Sequence, residues 1–294
     1  MIVDGVFSGG GMKGFAYVGA MQVLEERGIR FKRVAGTSAG AILATFIAAG
    51  FNAKELEEIF DDLNLKALLD SPKLVINLPF LKWVNLYKHN GMYRGNLLEK
   101  WFHQKLATKG ISTFGDLPFG ALKLVASDLT NGKILVLPDD LKKYGIDCDR
   151  FPVSRALRMS CGLPFFFEPV YLNNGYKKSM VVDGGVLSNF PLWIYDNGFK
   201  ARPVLGMKLS SSSEEIPPRK IDNALQLFEA LFSTMQNAHD KRYVERKHEK
   251  NIIFIPVEKY STTQFDMDEE TKKKLMNIGK ERTVQFLKTW SPVW

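Results

Sequence analysis

Three short segments of the sequence contain residue types suited to nucleophilic chemistry. Residues 9–14 read Gly-Gly-Gly-Met-Lys-Gly, a stretch that offers backbone N–H groups and few side chains. Residues 36–40 read Gly-Thr-Ser-Ala-Gly, and residues 183–185 read Asp-Gly-Gly. Together the segments contain a hydroxyl nucleophile, a carboxylate base and amide donors for a developing oxyanion, which are the groups that an acyl transfer requires.

The Gly-rich segment alone fits two kinds of chemistry. Gly9, Gly11 and Gly14 match the G-x-G-x-x-G pattern of dinucleotide-binding folds, in which backbone amides receive a pyrophosphate. The dinucleotide alternative requires an acidic residue at the end of the second strand, where residues 34–37 read Val-Ala-Gly-Thr. Because that acid is absent and a serine follows, the sequence favours an amide site for an oxyanion.

The G-x-S-x-G pentapeptide predicts a nucleophile elbow, a sharp turn between a strand and a helix that raises the hydroxyl of Ser38 above a sheet. In this geometry the N–H of Ala39 points towards the same space as the amides of the first glycine segment. The predicted oxyanion hole consists of Gly9, Gly10, Gly11 and Ala39.

The predicted general base is Asp183, which follows a short apolar run and precedes two glycines. The alternative for Asp183 is a surface turn, in which Asp-Gly is common. The four histidines are poorer candidates and are predicted to be exposed helix residues, because none lies in a small-residue loop. They are His89, His103, His239 and His248. A Ser-Asp dyad is therefore favoured over a triad.

The apolar pattern predicts alternating strands and helices, which is typical of a parallel sheet with crossover helices. Strands are predicted at residues 2–7, 33–36, 122–127, 134–137, 181–183, 204–208 and 252–257. Helices are predicted at residues 15–27, 39–49, 53–62, 97–108, 153–160, 222–248 and 269–289.

In order and spacing, the three segments resemble those of the patatin-like phospholipases, serine acyl hydrolases with a Ser-Asp dyad. Two further blocks agree with this resemblance: Asp183 to Pro191 is similar to the D-G-G-x-x-x-N-x-P pattern, and the block from Arg158 is similar to R-x-S-x-x-x-P-x-F-F. The resemblance covers about residues 5–208. Cys161 departs from it, standing where the family has a small residue, and is expected to be a buried small hydrophobe.

The resemblance implies a three-layer α/β/α fold with a mostly parallel central sheet flanked by helices. It implies that Ser38 attacks a lipid ester, that Asp183 accepts the proton and that water resolves the acyl-enzyme, as in a phospholipase A or a lysophospholipase. A catalytically silent lipid-binding protein of the same fold is the alternative. The residues expected to support the motifs are Met12, Lys13, Gly14, Gly36, Gly40, Gly184 and Gly185.

Three roles are open for Lys13, which could aid the oxyanion, bind a lipid phosphate or order the loop through an ion pair. The sequence contains no metal-ligand cluster, so we expect neither a metal nor a cofactor. We expect one domain over residues 1–294, with an insertion at 71–94 and a helix-strand-helix segment at 209–294 that completes it.

The insertion mixes apolar and aromatic residues with lysines, including Lys82 and Trp83. It fits either a helical insertion packed on the core or an interfacial lid over a lipid-binding cleft.

The formal net charge of +8 favours an anionic partner. Expected partners are a phospholipid or another lipid ester and a peripheral membrane surface. No nucleic acid is expected, because the basic clusters, such as residues 272–274, fit solvated helix faces. Two cysteines and the absence of a leader before residue 9 predict a reduced, cytoplasmic protein. The positive charge is compatible with a peripheral position at the inner membrane face.

Overall fold

The computed structural model describes residues 1–70, 86–173, 175, 178–195, 202–210, 221–222, 224–243, 250–263 and 267–291. Its strands are β1 (Ile2–Phe7), β2 (Arg30–Thr37), β3 (Gly91–Tyr93), β4 (Leu122–Asp128), β5 (Lys133–Leu137), β6 (Phe165–Phe167), β7 (Val170–Asn173), β8 (Lys178–Asp183), β9 (Val204–Lys208) and β10 (Ile252–Phe254). Its longer helices are α1 (Phe15–Glu26), α2 (Ala39–Ala48), α3 (Ala53–Asp61), α4 (Asn96–Ala107), α5 (Val153–Ser160), α6 (Ala224–Tyr243) and α7 (Glu269–Thr289).

Within the described residues, eight strands form the central sheet. Its parallel part runs in the order β10-β9-β1-β2-β4, and β5, β8 and β7 join through antiparallel pairings. The strands β3 and β6 pair separately. This architecture confirms the predicted fold class of a mostly parallel sheet with flanking helices.

The two faces of the sheet are covered differently. Successive residues of a strand point to opposite faces, so Val3 and Phe7 of β1 pack in the core cluster that contains α1 and α2, while Val6 packs in a second cluster. Within the described residues, Phe190 and the short turn Leu192–Tyr195 cover this second face. The face that packs on α1 and α2 therefore carries the larger of the two core clusters.

The helix α7 packs closely on α1 through two glycines. A Cβ at Gly19 would overlap the backbone of Met276, and a Cβ at Gly279 would overlap that of Ala16. The prediction that residues 272–274 form a solvated helix face is wrong for Lys272, which is buried in α7. Its Nζ lies 2.6 Å from Glu269 and over the ring of Phe15.

Several boundaries differ from the sequence prediction. The second strand begins at Arg30 and not at residue 33, because its first residues pair with β1 even though most of them are charged. The strands β3, β6 and β7 were missed, since they are short. The described part of the long helix ends at Tyr243. Residues 71–85 of the predicted insertion, with Lys82 and Trp83, lie outside the described residues.

Candidate active site

The turn at Ser38 has the geometry of a nucleophile elbow. Ser38 stands between β2 and α2 with φ 51° and ψ −119°, in a region that costs a residue with a side chain about 1–3 kcal/mol. Its two flanking glycines are required by close approaches. A Cβ at Gly36 would overlap the backbone of Gly40, and one at Gly40 would overlap the carbonyl of Phe7. The strained serine is thus held against the first strand.

Ser160, at the end of α5, holds the elbow from the other side. Its hydroxyl accepts a hydrogen bond from the N–H of Ser38 at 3.1 Å and donates one to the carbonyl of Val125 at 2.6 Å. Sequence reasoning noted Ser160 only as part of a motif block. The structure gives this residue a direct contact with the backbone of the candidate nucleophile.

The position of Asp183 follows from an unexpected strand direction. Since β5 occupies one edge of β4, both β2 and β8 pair with the other edge, where Thr37 lies opposite Val125 and Asp183 lies opposite Ala126. The two strands run in opposite directions, so their carboxyl ends meet head to head. The prediction that Asp183 ends a strand of a parallel sheet is corrected, but the residue still reaches Ser38.

Asp183 is a buried carboxyl group with few partners. Burial raises its pKa to about 7, although hydrogen bonds with the hydroxyl of Ser38 and the N–H of Gly185, the latter at 2.7 Å, lower it. A carboxylate with a pKa near neutrality that accepts a hydrogen bond from a serine hydroxyl has the properties of a general base.

The raised pKa also makes a stability prediction. The folded state binds the proton of Asp183 more tightly than the unfolded state does. The protonated carboxyl group therefore stabilises the folded state fully below about pH 4, and this stabilisation is lost as the pH rises through about 7. The difference between the two pKa values corresponds to at most about 4 kcal/mol at pH 8. Asp183→Asn should therefore raise the free energy of unfolding relative to wild type at pH 8, and much less at pH 4, in urea titrations.

The matched control is Asp128→Asn. Burial opposes the charge of Asp128, but hydrogen bonds from Tyr144 and Asn131 outweigh it and lower the pKa of this carboxyl group. Its substitution should cost more stability at pH 8 than at pH 3, the opposite trend. An Asp183→Asn effect that is the same at pH 4 and pH 8 would contradict the assignment of a raised pKa.

The Gly-rich loop offers fewer amide donors than the sequence suggested. The N–H of Gly9 donates to the carbonyl of Asn189 at 3.0 Å, so the prediction that Gly9 is an oxyanion donor is corrected. Among the described residues, no acceptor is found for the N–H groups of Gly10, Gly11 and Ala39. Gly10 and Gly11 line the same cavity as Ser38.

The remaining motif residues lie around this loop. The short turn Gly11–Gly14 contains Met12, which is buried, and Lys13, which is partly buried and has interactions of its own. Gly14 packs near Ala39. Gly184 and Gly185 are buried in the turn that follows Asp183.

A largely apolar cavity of about 850 Å³, counting the space at its mouth, extends from Ser38 and Asp183. Its size suits a drug-sized or lipid ligand. Its apolar lining comes from several helices and includes Phe15, Ile42, Phe60, Leu63, Leu98, Trp101, Phe102, Leu163, Phe167 and Phe232. Sequence reasoning missed these residues, because they come from distant segments and look like ordinary core positions.

Cys161 is buried, as predicted, and it lies beside Ser38. Burial raises its pKa well above the ordinary value, and the nearby charge of Asp183 acts in the same direction. Its thiol donates to the carbonyl of Ser38 at 3.4 Å. At neutral pH it is a thiol, the unreactive form.

Two histidines can be located. His89 and His103 are exposed. The side chain of His239 and the whole of His248 lie outside the described residues. Among the described residues, no group of three or more His, Cys, Asp or Glu side chains could hold a metal ion.

A strained serine turn over an apolar cavity, at the carboxyl end of a central strand of an α/β sheet, is an architecture suited to lipid acyl hydrolases. Comparison with known proteins agrees. A family model described as patatin-like phospholipase matches residues 5–195. The chain therefore belongs to the patatin-like phospholipase family and is a lipid ester hydrolase in the general sense of that family.

The relatives support the same assignment. The uncharacterized protein YqhO of Bacillus subtilis is 51% identical over 99% of this chain and 100% of its own length. A probable lipid hydrolase, 463L, of Invertebrate iridescent virus 6 is 26% identical over 64% of this chain and 61% of its own length. The crystal structure of VipD from Legionella pneumophila shares the fold, with a TM-score of 0.59 at 20% identity over 98% of this chain and 67% of that protein.

In the part of the chain that the structure describes, no helix is both long and apolar enough to cross a bilayer.

Proposed function

We propose that this protein hydrolyses the carboxylic ester bonds of phospholipids or lysophospholipids through an acyl-enzyme on Ser38. The observation that carries the proposal is the hydrogen bond between the hydroxyl of Ser38 and the buried carboxylate of Asp183, at the base of an apolar cavity. The polar groups suit acyl transfer, and the apolar walls suit a fatty acyl chain.

In the first half-reaction, Ser38 Oγ attacks the ester carbonyl carbon and its proton passes to Asp183. The N–H groups of Gly10, Gly11 and Ala39 stabilise the oxyanion. The intermediate collapses, the C–O bond breaks, and the leaving alcohol takes the proton from Asp183. In the second half-reaction, water gives a proton to Asp183 and attacks the acyl carbonyl carbon. The bond between that carbon and Ser38 Oγ then breaks, the proton passes from Asp183 to Ser38 Oγ, and the fatty acid is released.

The test is a lipid panel analysed by mass spectrometry. Purified protein incubated with diacyl phospholipids, lysophospholipids and neutral glycerides should release fatty acid from at least one class, and the Ser38→Ala variant should release none. Binding of the same lipids without release by the wild type would instead favour the catalytically silent alternative.

We further propose that residues 1–294 form one domain. The C-terminal part contributes β10 to the central sheet through its pairing with β9, and α7 packs backbone to backbone on α1. Both contacts join the region after residue 208 to the core.

We also propose that the enzyme acts at a lipid surface and docks through one face of α6. Leu227, Leu231 and Met235 recur every four residues and are each about half exposed, so they form an apolar stripe on the outer side of the helix. Exposed Phe165, with φ 64°, packs its ring edge-on against Phe228.

A second set of α6 side chains, next to the stripe in sequence, connects Phe165 to the cavity. Phe228 stacks on Phe232 at 5.7 Å between ring centroids, and Phe232 lines the cavity that contains Ser38. An acyl chain leaving a lipid surface at Phe165 would thus meet aromatic rings as far as Phe232, in the lining of the cavity that also contains Ser38. The net charge of +8 favours an anionic surface.

The docking surface makes a measurable prediction. Leu227→Glu together with Leu231→Glu should weaken binding to phosphatidylcholine vesicles containing phosphatidylglycerol by at least roughly tenfold, because burying a leucine contributes about 1.5–3 kcal/mol. Hydrolysis of vesicle lipid should fall in parallel in a co-sedimentation and product assay. Hydrolysis of a soluble short-chain ester should stay within twofold, because neither leucine lines the cavity.

Phe119→Glu is the matched control. Phe119 is fully exposed in the loop before β4, at the amino ends of the parallel strands and so at the opposite end of these strands from Ser38. Its substitution should leave vesicle binding unchanged. Equal losses in both variants, or a parallel loss on the soluble ester, would rule out this face of α6.

A further inference from the structure

The helix α6 carries a buried carboxylate that the proposed chemistry does not use. The side chain of Asp240 is 1% exposed. Its Oδ1 accepts a hydrogen bond from the N–H of Phe190 at 3.0 Å, and its Oδ2 accepts one from Asn189 Nδ2 at 3.4 Å. Lys208 Nζ lies 3.4 Å from the same Oδ2. A buried charge with three donors fixes their relative positions, because losing any of them is costly.

Asn189 connects this carboxylate to the Gly-rich loop. Its main-chain carbonyl oxygen accepts a hydrogen bond from the N–H of Gly9 at 3.0 Å. Its side-chain Oδ1 is buried, has no hydrogen-bond donor among the described residues, and lies where a Cβ on Gly9 would overlap it. The opposite amide orientation would place Oδ1 against the carboxylate of Asp240. Asp240 therefore determines which end of the Asn189 amide faces Gly9.

The consequence reaches the oxyanion donors. With its own N–H directed to Asn189, Gly9 orients the next two peptide units, and the N–H groups of Gly10 and Gly11 have no acceptor in the described part of the chain and face the cavity. Oxyanion stabilisation depends on donor placement within a few tenths of an ångström, so a shift of residues 189–190 would move both amides.

We propose that Asp240 is a positioning residue for the oxyanion hole, acting through Asn189 and Gly9. This assignment rests on the proposed acyl transfer at Ser38. It also means that one helix, α6, both lines the acyl cavity through Phe232 and holds the loop that stabilises the transition state.

The test is Asp240→Asn, assayed on a soluble short-chain ester with kcat expressed per active site from the burst of released alcohol. An asparagine at position 240 can still accept the hydrogen bond from the N–H of Phe190. Its amide nitrogen then faces the side-chain nitrogens of Asn189 and Lys208. We expect kcat to fall by roughly 10- to 100-fold with KM within threefold. The inhibition constant of a trifluoromethyl ketone, which forms an oxyanion on Ser38, should rise by a similar factor.

Asp4→Asn is the matched control. Asp4 is also 1% exposed and pairs with Arg33 and Arg202, but it lies in β1 at the far end from the loop. Its substitution should lower the melting temperature and leave kcat per active site unchanged. Asn189→Ala is the second variant, because it removes one hydrogen bond and leaves Asp240 paired. It should lower kcat by about tenfold.

The test variants are Asp240→Asn and Asn189→Ala. The assignment is overturned if a folded test variant keeps both kcat and the inhibition constant of the ketone within twofold of the wild-type values. A wild-type enzyme that requires Ser38 but tolerates Asp240→Asn would count against this inference alone. If the Ser38→Ala variant hydrolysed the ester as fast as the wild type, the result would count against the proposed function and, with it, this inference.

Discussion

Replacing Ser38 by alanine should lower kcat for ester hydrolysis by roughly 10⁴- to 10⁶-fold, because the variant lacks the atom that forms the acyl-enzyme in the proposed mechanism. The fold should persist, since the hydroxyl of Ser38 has one hydrogen-bond partner among the described residues, Asp183, and the neighbouring backbone is held by Ser160. Initial rates on a short-chain ester, with circular dichroism as the check on folding, measure the effect.

Ser179→Ala is the control for Ser38→Ala. Ser179 is more buried than Ser38, and its hydroxyl contacts Asn131 in the antiparallel part of the sheet. Its activity should remain close to wild type. If Ser38→Ala kept more than about 1% of wild-type kcat, the nucleophile would have to be another residue.

Asp183→Asn should lower kcat by roughly 10³- to 10⁴-fold, the range seen when a general base loses its function. The asparagine can keep the hydrogen bond from the N–H of Gly185 but cannot take a proton from Ser38. The double variant with Ser38→Ala should be no slower than Ser38→Ala alone, because the two residues act as one unit.

The pH dependence provides an independent check on Asp183. Because the base must be deprotonated, and burial raises its pKa to about 7, the wild-type kcat/KM should rise with pH and level off above about pH 8. His103→Ala, at an exposed position, should leave this profile unchanged, as should His239→Ala. A loss of about 10³-fold in either histidine variant would restore a triad.

The chemical groups of the candidate site could be predicted because their signals are local. A serine between two glycines at a strand-to-helix junction defines an elbow from a few residues, and the structure gives both glycines a steric reason through the close approaches of Gly36 and Gly40. The alternation of strands and helices likewise predicted the fold class.

What could not be predicted depends on pairing between distant segments. Nothing near Asp183 reveals that β8 runs against β4 and meets β2 head to head. Likewise, the choice of Gly10 over Gly9 as a donor depends on the carbonyl of Asn189, and the burial of Asp240 depends on where α6 packs. A charged helix residue with a buried partner has the same local sequence as an exposed one.

The most direct test of the central claim is covalent labelling with a fluorophosphonate, which reacts with activated serines, followed by peptide mass spectrometry. We expect one adduct per chain, on Ser38, formed quickly at pH 8, slowly at pH 5 and hardly at all in Asp183→Asn. No adduct, or an adduct on any other residue, such as the neighbouring Cys161, would contradict Ser38 as the nucleophile.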